Sequence, residues 1–332
     1  MSSKSPVSSK NPVSSKCPVI IDLKFQRESV VKALRNAFAD REIIDMADPA
    51  NAERDLGTAA YAVVWKPDPA LFEKAKGLKA IFSGGAGVDH ILTTYELPDL
   101  PIVRFVDRSL TDRMSEWVVL QCLSHLRQTL TYARQQRDHH WNELAGQPEA
   151  CDVTVGVMGL GVLGQDSVAK LKVMGFNVIG WSRRPKQIAG IETYDADGLD
   201  DFLGRTDILV GLLPLTAETR GVYGRALFSK LNRNGALGGP VFLNAGRGGS
   251  QVETDLVACL KDGTLKAASL DVFEQEPLSG DNPLWDMGNV IVTPHAAASS
   301  EVSALFRHVE SQIARFEDGL PLQNVVDRLT GY

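Results

Sequence analysis

From residue 19 onward, short apolar runs alternate with amphipathic stretches, the rhythm of a fold in which parallel strands are joined by crossover helices. In the first third of the chain the pattern predicts strands at 19–23, 43–45, 61–65, 80–83 and 102–105, with helical segments such as 29–38 and 71–76 between them. A long helix is expected from about 112 to 139, capped by Ser109 or Thr111, with Asp112 at the positive end of its dipole. Met114, Trp117, Val118 and Cys122 fall at helical spacing, and Val119, Leu120 and Leu123 fill the neighbouring faces. Such all-round apolarity predicts a buried helix at a domain or subunit interface. Six further strands are legible at 153–158, 177–181, 208–213, 241–244, 267–270 and 290–293, with helices at 163–174, 199–203, 225–231 and 253–261. Six strands with crossover helices fit a doubly wound parallel sheet. A last amphipathic helix, 301–317, is surplus to that unit and is expected to pack against the first domain.

With 332 residues the chain is long enough for two domains. Its net charge of −6 and the lack of a long Lys/Arg run argue against nucleic acid or an anionic membrane as partner. Cys17, Cys122, Cys151 and Cys259 form no C-x-x-C pair, so neither a disulfide framework nor a metal site is expected, and free thiols in the cytoplasm are the simpler reading. No apolar stretch is long enough to span a bilayer, and the N-terminus lacks the apolar core of a secretory signal. Ser-Ser-Lys-x-Pro-Val occurs three times between Ser2 and Val19. Units so short and polar form no solenoid, and residues 1–18 read as a flexible tail without catalytic consequence.

Gly159-Leu160-Gly161-Val162-Leu163-Gly164 has the pattern G-x-G-x-x-G between a predicted strand and a predicted helix, the context of a dinucleotide-binding turn. After the next strand, where an NAD site places a carboxylate for the ribose, the chain has Trp181-Ser182-Arg183-Arg184-Pro185-Lys186. Two guanidiniums and a lysine suit a 2′-phosphate, which favours NADP(H) over NAD(H). Three more segments follow strand ends, where open α/β sheets bind ligands: Asn244-Ala245-Gly246-Arg247-Gly248, the carboxylate-rich 271–278, and Thr293-Pro294-His295. Arg247 offers a planar fork for a substrate carboxylate, and His295 is the histidine best placed to give a proton to a forming alkoxide. His90, His125, His139, His140 and His308 fall in predicted helices or at their ends and read as packing or surface residues.

These segments, with 213–220, come in the order and spacing of the D-isomer-specific 2-hydroxyacid dehydrogenases, which the chain resembles from about residue 19 to its end. Further motifs at 60–65, 84–89, 181–183 and 326–332 resemble the branch of that family that reduces glyoxylate and hydroxypyruvate. The resemblance implies two Rossmann-like α/β domains. A doubly wound cofactor domain (107–295, including the long linking helix) would be inserted into a smaller flavodoxin-like substrate domain (19–106 and 296–332). It also implies roles. Arg247 would bind the carboxylate, His295 would donate the proton, and Glu276 would be its carboxylate partner. Asp271 would lie near the nicotinamide, while Leu213, Pro214, Thr219, Ala245 and Gly246 would line the cofactor. Trp65 and the backbone of Gly85, Ala86, Gly87 and Val88 would contact substrate, and Trp141 would either reach the partner's pocket in a homodimer or pack within its own subunit. The implied activity is NADPH-dependent reduction of small 2-oxo acids, glyoxylate to glycolate and hydroxypyruvate to D-glycerate, with NADH a weaker donor. Two alternatives are a dehydrogenase for a larger keto acid and a non-catalytic dinucleotide-sensing or corepressor module. Formate dehydrogenase chemistry is disfavoured, because Glu276 stands where that reaction uses glutamine.

Overall fold

Residues 16–92, 97, 99–328 and 331 are described in the structure, a computed structural model. Five strands, β1 (Lys16–Leu23), β2 (Arg41–Asp45), β3 (Tyr61–Trp65), β4 (Ala80–Ser83) and β5 (Ile102–Val103), make one parallel sheet in the order β2-β1-β3-β4-β5. That is the flavodoxin-like order. Between the strands run α1 (Arg27–Leu34), α2 (Ala70–Lys74) and α3 (Asp89–Leu92), and the C-terminal helix Val302–Glu317 packs against α1. With both faces covered, the strands are apolar without alternation: Val19, Ile20, Ile21 and Tyr61 through Val64 are all buried. β1 starts at Lys16, which pairs with Arg41, so residues 16–18 of the last repeat unit belong to the sheet and not to a tail. The earlier units, within residues 1–15, lie outside the described residues, as does Tyr332.

The second sheet has seven strands: β6 (Thr154–Met158), β7 (Asn177–Trp181), β8 (Glu192–Tyr194), β9 (Ile208–Gly211), β10 (Val241–Asn244), β11 (Ala267–Leu270) and β12 (Val290–Val292). Their order, β12-β11-β10-β9-β6-β7-β8, is the doubly wound arrangement with one more strand at the β12 edge than the dinucleotide-binding minimum. β8 is the strand that the hydrophobic pattern does not announce. Its helices are α4 (Arg108–Leu126), α5 (Thr129–Arg137), α6 (Val162–Val173), α7 (Leu199–Gly204), α8 (Arg225–Phe228) and α9 (Glu253–Asp262). Two apolar cores divide the faces of the sheet. Val155, Val157, Val241 and Leu243 point toward α4 and α6, while Met158, Phe242 and Leu270 join Phe202, Phe228 and Leu256 of α7, α8 and α9.

The long helix expected over 112–139 is two helices. Gln128 takes a left-handed conformation at φ 53°, and the Thr129 hydroxyl donates to the Ser124 carbonyl at the break, replacing a helical bond. The cap is Asp107, whose carboxylate accepts from the Ser109 N–H at 2.8 Å, and not Ser109 or Thr111. Nor is α4 apolar all round in its packing: Leu120 is 58% exposed. By its internal contacts the chain divides into Met1–Val106 with Glu301–Thr330, and Asp107–Ser300.

Candidate active site

The G-x-G-x-x-G turn joins β6 to α6, and each glycine answers a different demand. Gly159 has φ 109°, and a Cβ there would come within 2.6 Å of the Leu212 carbonyl oxygen. At Gly164 a Cβ would sit 1.9 Å from the Gly159 carbonyl oxygen, so α6 packs down on the turn only because that side chain is absent. Gly161, the N-cap of α6, is different: a Cβ there would meet nothing within 4 Å. The helix N-terminus therefore faces open space over a position with no side chain, which is what a pyrophosphate requires. Leu160 is buried in the core, so any contact it makes to a cofactor is through its backbone. Val162, at the start of α6, is exposed, and Leu163 packs against the core.

The basic turn after β7 divides its labour. Ser182 Oγ donates to the Arg184 carbonyl at 2.7 Å and holds the turn closed. Lys186 Nζ donates to the Leu160 carbonyl at 2.6 Å, tying this turn to the glycine turn, where the residue pattern had it facing a phosphate. Arg183 lies 3.6 Å from Glu218, whose carboxyl is held below the usual range first by the Thr216 hydroxyl. In the loop after β9, Thr219 donates to the Pro214 carbonyl at 2.6 Å and accepts from the Thr216 N–H at 2.8 Å, which fixes the turn. Leu213 is buried beneath it, and Gly246 lies so close that a Cβ would meet the Leu213 carbonyl at 2.9 Å. Ala245 is buried in the same region.

β10, β11 and β12 are neighbours, so their carboxyl ends bring the three remaining segments together. His295 Nδ1 lies 2.9 and 3.1 Å from the two oxygens of Glu276. A carboxylate only accepts, so Nδ1 carries the hydrogen and Nε2 is the nitrogen left to exchange a proton with another group. Glu276 Oε1 is also held by the Phe273 N–H at 3.2 Å. His295 has a left-handed backbone, φ 53°, and Asp271 braces it. Buried at 1% exposure, the Asp271 carboxylate accepts from the N–H groups of Ala296 (2.8 Å) and Ala297 (3.0 and 3.1 Å) and from the Thr293 hydroxyl (2.5 Å). Thr293 in turn accepts from Trp117 Nε1 of α4 at 3.2 Å. The three carboxylates of 271–276 thus do three different things: Asp271 holds the histidine loop, Glu276 faces the histidine, and Glu274 accepts from the Glu253 N–H at the start of α9 at 2.7 Å. Arg247 Nη1 donates to the Gly246 carbonyl at 2.8 Å, and its loop is held by Asn244, fully buried, which accepts from the Gly246 N–H and donates to the Arg247 carbonyl. Trp117, Asn244 and the Glu274 cap are the supporting groups that residue type alone does not assign.

In the first unit, Trp65 ends β3 and packs against His90, with ring centroids 4.2 Å apart and the planes tilted by 50°. A Cβ on Gly85 would meet the Trp65 ring at 2.6 Å, so this glycine is required for the tryptophan to lie over the loop. The Gly85 N–H donates to Ser83 Oγ at 3.3 Å, and that hydroxyl donates to the Gly87 carbonyl at 2.8 Å. Ala86 lies in the same turn, and Val88 is buried where it leads into the four-residue α3. Trp141, beyond α5, is fully exposed. Among the described residues no group of three or more His, Cys, Asp or Glu side chains is arranged to hold a metal, and no helix is long and apolar enough to cross a membrane. All four cysteines are free.

Comparison with known proteins adds three findings. The family described as D-isomer specific 2-hydroxyacid dehydrogenase, NAD binding domain, matches residues 119–297. A glyoxylate/hydroxypyruvate reductase A from Escherichia fergusonii is 37% identical over 285 residues, 84% of this chain and 89% of that protein. Two solved structures are each 65% identical. An NADPH-dependent glyoxylate/hydroxypyruvate reductase from Sinorhizobium meliloti, in complex with NADP and sulfate, has a TM-score of 0.94 and covers 96% of this chain and 100% of its own. A probable 2-hydroxyacid dehydrogenase from Rhizobium etli CFN 42, in complex with NADP, HEPES and L(+)-tartaric acid, has a TM-score of 0.90 and covers 95% and 99%.

Proposed function

The chain belongs to the D-isomer-specific 2-hydroxyacid dehydrogenase family, and from that premise we propose that it is an NADPH-dependent reductase of small 2-oxo acids, turning glyoxylate into glycolate and hydroxypyruvate into D-glycerate. The observation that carries the reading is the His295–Glu276 pair, at the carboxyl edge of the same sheet that carries the glycine turn. When bound, the nicotinamide supplies the hydride. The open space over Gly161 at the start of α6 suits its pyrophosphate, and the guanidiniums of Arg183 and Arg184 suit a 2′-phosphate. NADH, which lacks that phosphate, is the weaker donor. Arg247 binds the substrate carboxylate and stabilises charge gathering on the keto oxygen. His295 gives the proton from Nε2, and Glu276 keeps the ring in the tautomer and orientation that make this possible. Asp271 keeps the histidine loop in place.

Trp65 and the backbone of Gly85, Ala86, Gly87 and Val88 contribute further substrate contacts. The first unit is the substrate-binding domain and the second the cofactor domain. Trp141 reaches the partner's pocket in a homodimer, and the protein works in the cytoplasm.

The test is spectrophotometric. NADPH and NADH oxidation are followed with glyoxylate, hydroxypyruvate, pyruvate and phenylpyruvate in parallel. Fast NADPH oxidation with the first two is expected. Better turnover with NADH would remove the phosphate reading of 182–186, and no turnover with any keto acid would leave a dinucleotide-sensing module as the better account.

A further inference from the structure

The loop that carries Arg247 and the loop that carries Glu276 are locked together at three points. Gly248 lies against the second loop so closely that a Cβ would come within 1.9 Å of the Phe273 carbonyl oxygen. Glu253 and Glu274 clasp each other reciprocally, each backbone N–H donating to the other's carboxylate at 2.7 and 2.6 Å. Between these two contacts lies Gln251, 2% exposed, whose side chain reaches both loops. Its Oε1 accepts from Asn244 Nδ2 at 2.9 Å, and its Nε2 donates to the Val272 carbonyl at 3.1 Å, with a longer contact of 3.5 Å to Glu253 Oε1.

We propose that Gln251 is a positioning residue that sets the substrate-binding arginine and the acid–base pair in one fixed relation. The inference rests on the roles of Arg247, Glu276 and His295 given above. On one side, Asn244 is the group that shapes the arginine loop, accepting from the Gly246 N–H at 3.0 Å and donating to the Arg247 carbonyl at 3.2 Å. With its amide N–H groups committed to Arg247 and to Gln251, Asn244 has a defined orientation, and Gln251 supplies half of that definition. On the other side, the Val272 carbonyl and the Phe273 N–H belong to one peptide plane. Gln251 donates to the carbonyl end of that plane, and the N–H end donates to Glu276 Oε1 at 3.2 Å. Fixing the plane at one end aims its N–H at the other, and Glu276 then holds His295 Nδ1 at 2.9 Å. A single carboxamide therefore joins the carboxylate-binding loop to the proton donor, through two hydrogen bonds on the Arg247 side and three on the His295 side. A residue with one polar atom, or with two acceptors, cannot do this.

Gln251→Glu separates the two halves at constant shape. It keeps the acceptor for Asn244 and loses the donor to Val272, setting a carboxylate oxygen against a carbonyl. Loss of one buried hydrogen bond predicts a drop in kcat/KM for glyoxylate of about ten-fold near neutral pH. The dissociation constant for NADPH, read by fluorescence titration, is expected to stay within about two-fold of wild type, because the bond to Asn244 that shapes the Ala245–Gly246 segment is kept. In mildly acid buffer, a protonated glutamic acid at 251 donates to Val272 as the amide did, so the deficit relative to wild type narrows. The Gln251→Leu variant, with no donor at any pH, keeps a constant deficit. Wild-type kcat/KM in Gln251→Glu, a deficit unchanged by pH, or an equal loss of NADPH affinity would each overturn the proposal. Arg247→Ala and His295→Ala are run beside it. If either of those retained wild-type kcat/KM, the assignment of the site itself would fail, whatever Gln251 does.

Discussion

Acidification strikes this protein at His125, a residue of α4 with no part in the proposed proton transfer. The ring sits on α4 with Nε2 2.8 Å from Ser269 Oγ on β11, and that hydroxyl donates to Gln121 Oε1 at 3.0 Å. Since the hydroxyl proton is committed to Gln121, the serine oxygen accepts from the ring. Nε2 therefore carries the hydrogen, an assignment that follows from the network, and Nδ1 is the atom that acid must protonate. Burial, reinforced by the Lys266 ammonium, pushes the imidazole down from 6.5 to about 4. With the folded value below the unfolded one, the unfolded chain binds the extra proton first. Stability from this site is complete above pH 6.5 and is lost as pH falls toward 4. Linkage over the drop from pH 7.5 to pH 5 comes to about 2 kcal/mol, and partial exposure of the ring trims this to about 1–2 kcal/mol. The assay is urea unfolding at the two pH values for wild type and for His125→Gln, which keeps a donor for Ser269 but cannot titrate. Other acid-sensitive groups act equally on both proteins, so the difference isolates the ring. Wild type is expected to lose about 1–2 kcal/mol more than the variant on acidification. Parallel losses in the two proteins would refute the assignment of a buried neutral histidine at this position.

The other predictions concern the site. Asp271→Asn sets an amide donor among the N–H groups of Ala296 and Ala297, and loss of these charge-assisted bonds is expected to cut kcat by about 10- to 100-fold in steady-state assays. Gly161→Ala and Gly164→Ala are expected to fail in opposite ways: in thermal melts with and without NADPH, the first keeps the apo melting temperature and loses the NADPH-induced rise, while the second lowers the apo temperature itself, because its Cβ would lie 1.9 Å from the Gly159 carbonyl. Arg183→Ala combined with Arg184→Ala is expected to lower the ratio of kcat/KM for NADPH to that for NADH by about 10- to 100-fold; an unchanged ratio would move the phosphate contact elsewhere.

What the sequence made legible follows from burial. Strands β3, β4, β7, β10 and β11 sit inside their sheets and are covered on both faces, so they appear as mostly apolar runs with clear ends. β8 is an edge strand of three residues, Glu192–Tyr194, none of them buried, and nothing in such a stretch stands out from a loop. The break between α4 and α5 was illegible for another reason. A left-handed residue there is a glutamine, and without Gly, Pro or Asn the helical pattern simply continues. Asp107, Ser109 and Thr111 are all good capping types. Only the extended backbone of Asp107, φ −139°, selects among them.

The same distinction holds within the site. That the segments after β10, β11 and β12 converge is a consequence of topology: parallel strands with right-handed crossovers put all their carboxyl ends on one edge. Their order along the chain was therefore enough to bring Arg247, the carboxylates of 271–276 and His295 into one group, from which the family resemblance picked out Glu276. Which of Asp271, Glu274 and Glu276 faces the histidine is a different kind of fact, because a loop has no period from which to read direction. It is decided by donors that arrive from elsewhere: Ala296 and Ala297 for Asp271, the first N–H of α9 for Glu274, and the Phe273 N–H and His295 for Glu276. Each carboxylate in the cluster is assigned by the N–H groups within its reach. The two that serve the backbone, Asp271 and Glu274, leave Glu276 as the member of the three with an imidazole to hold.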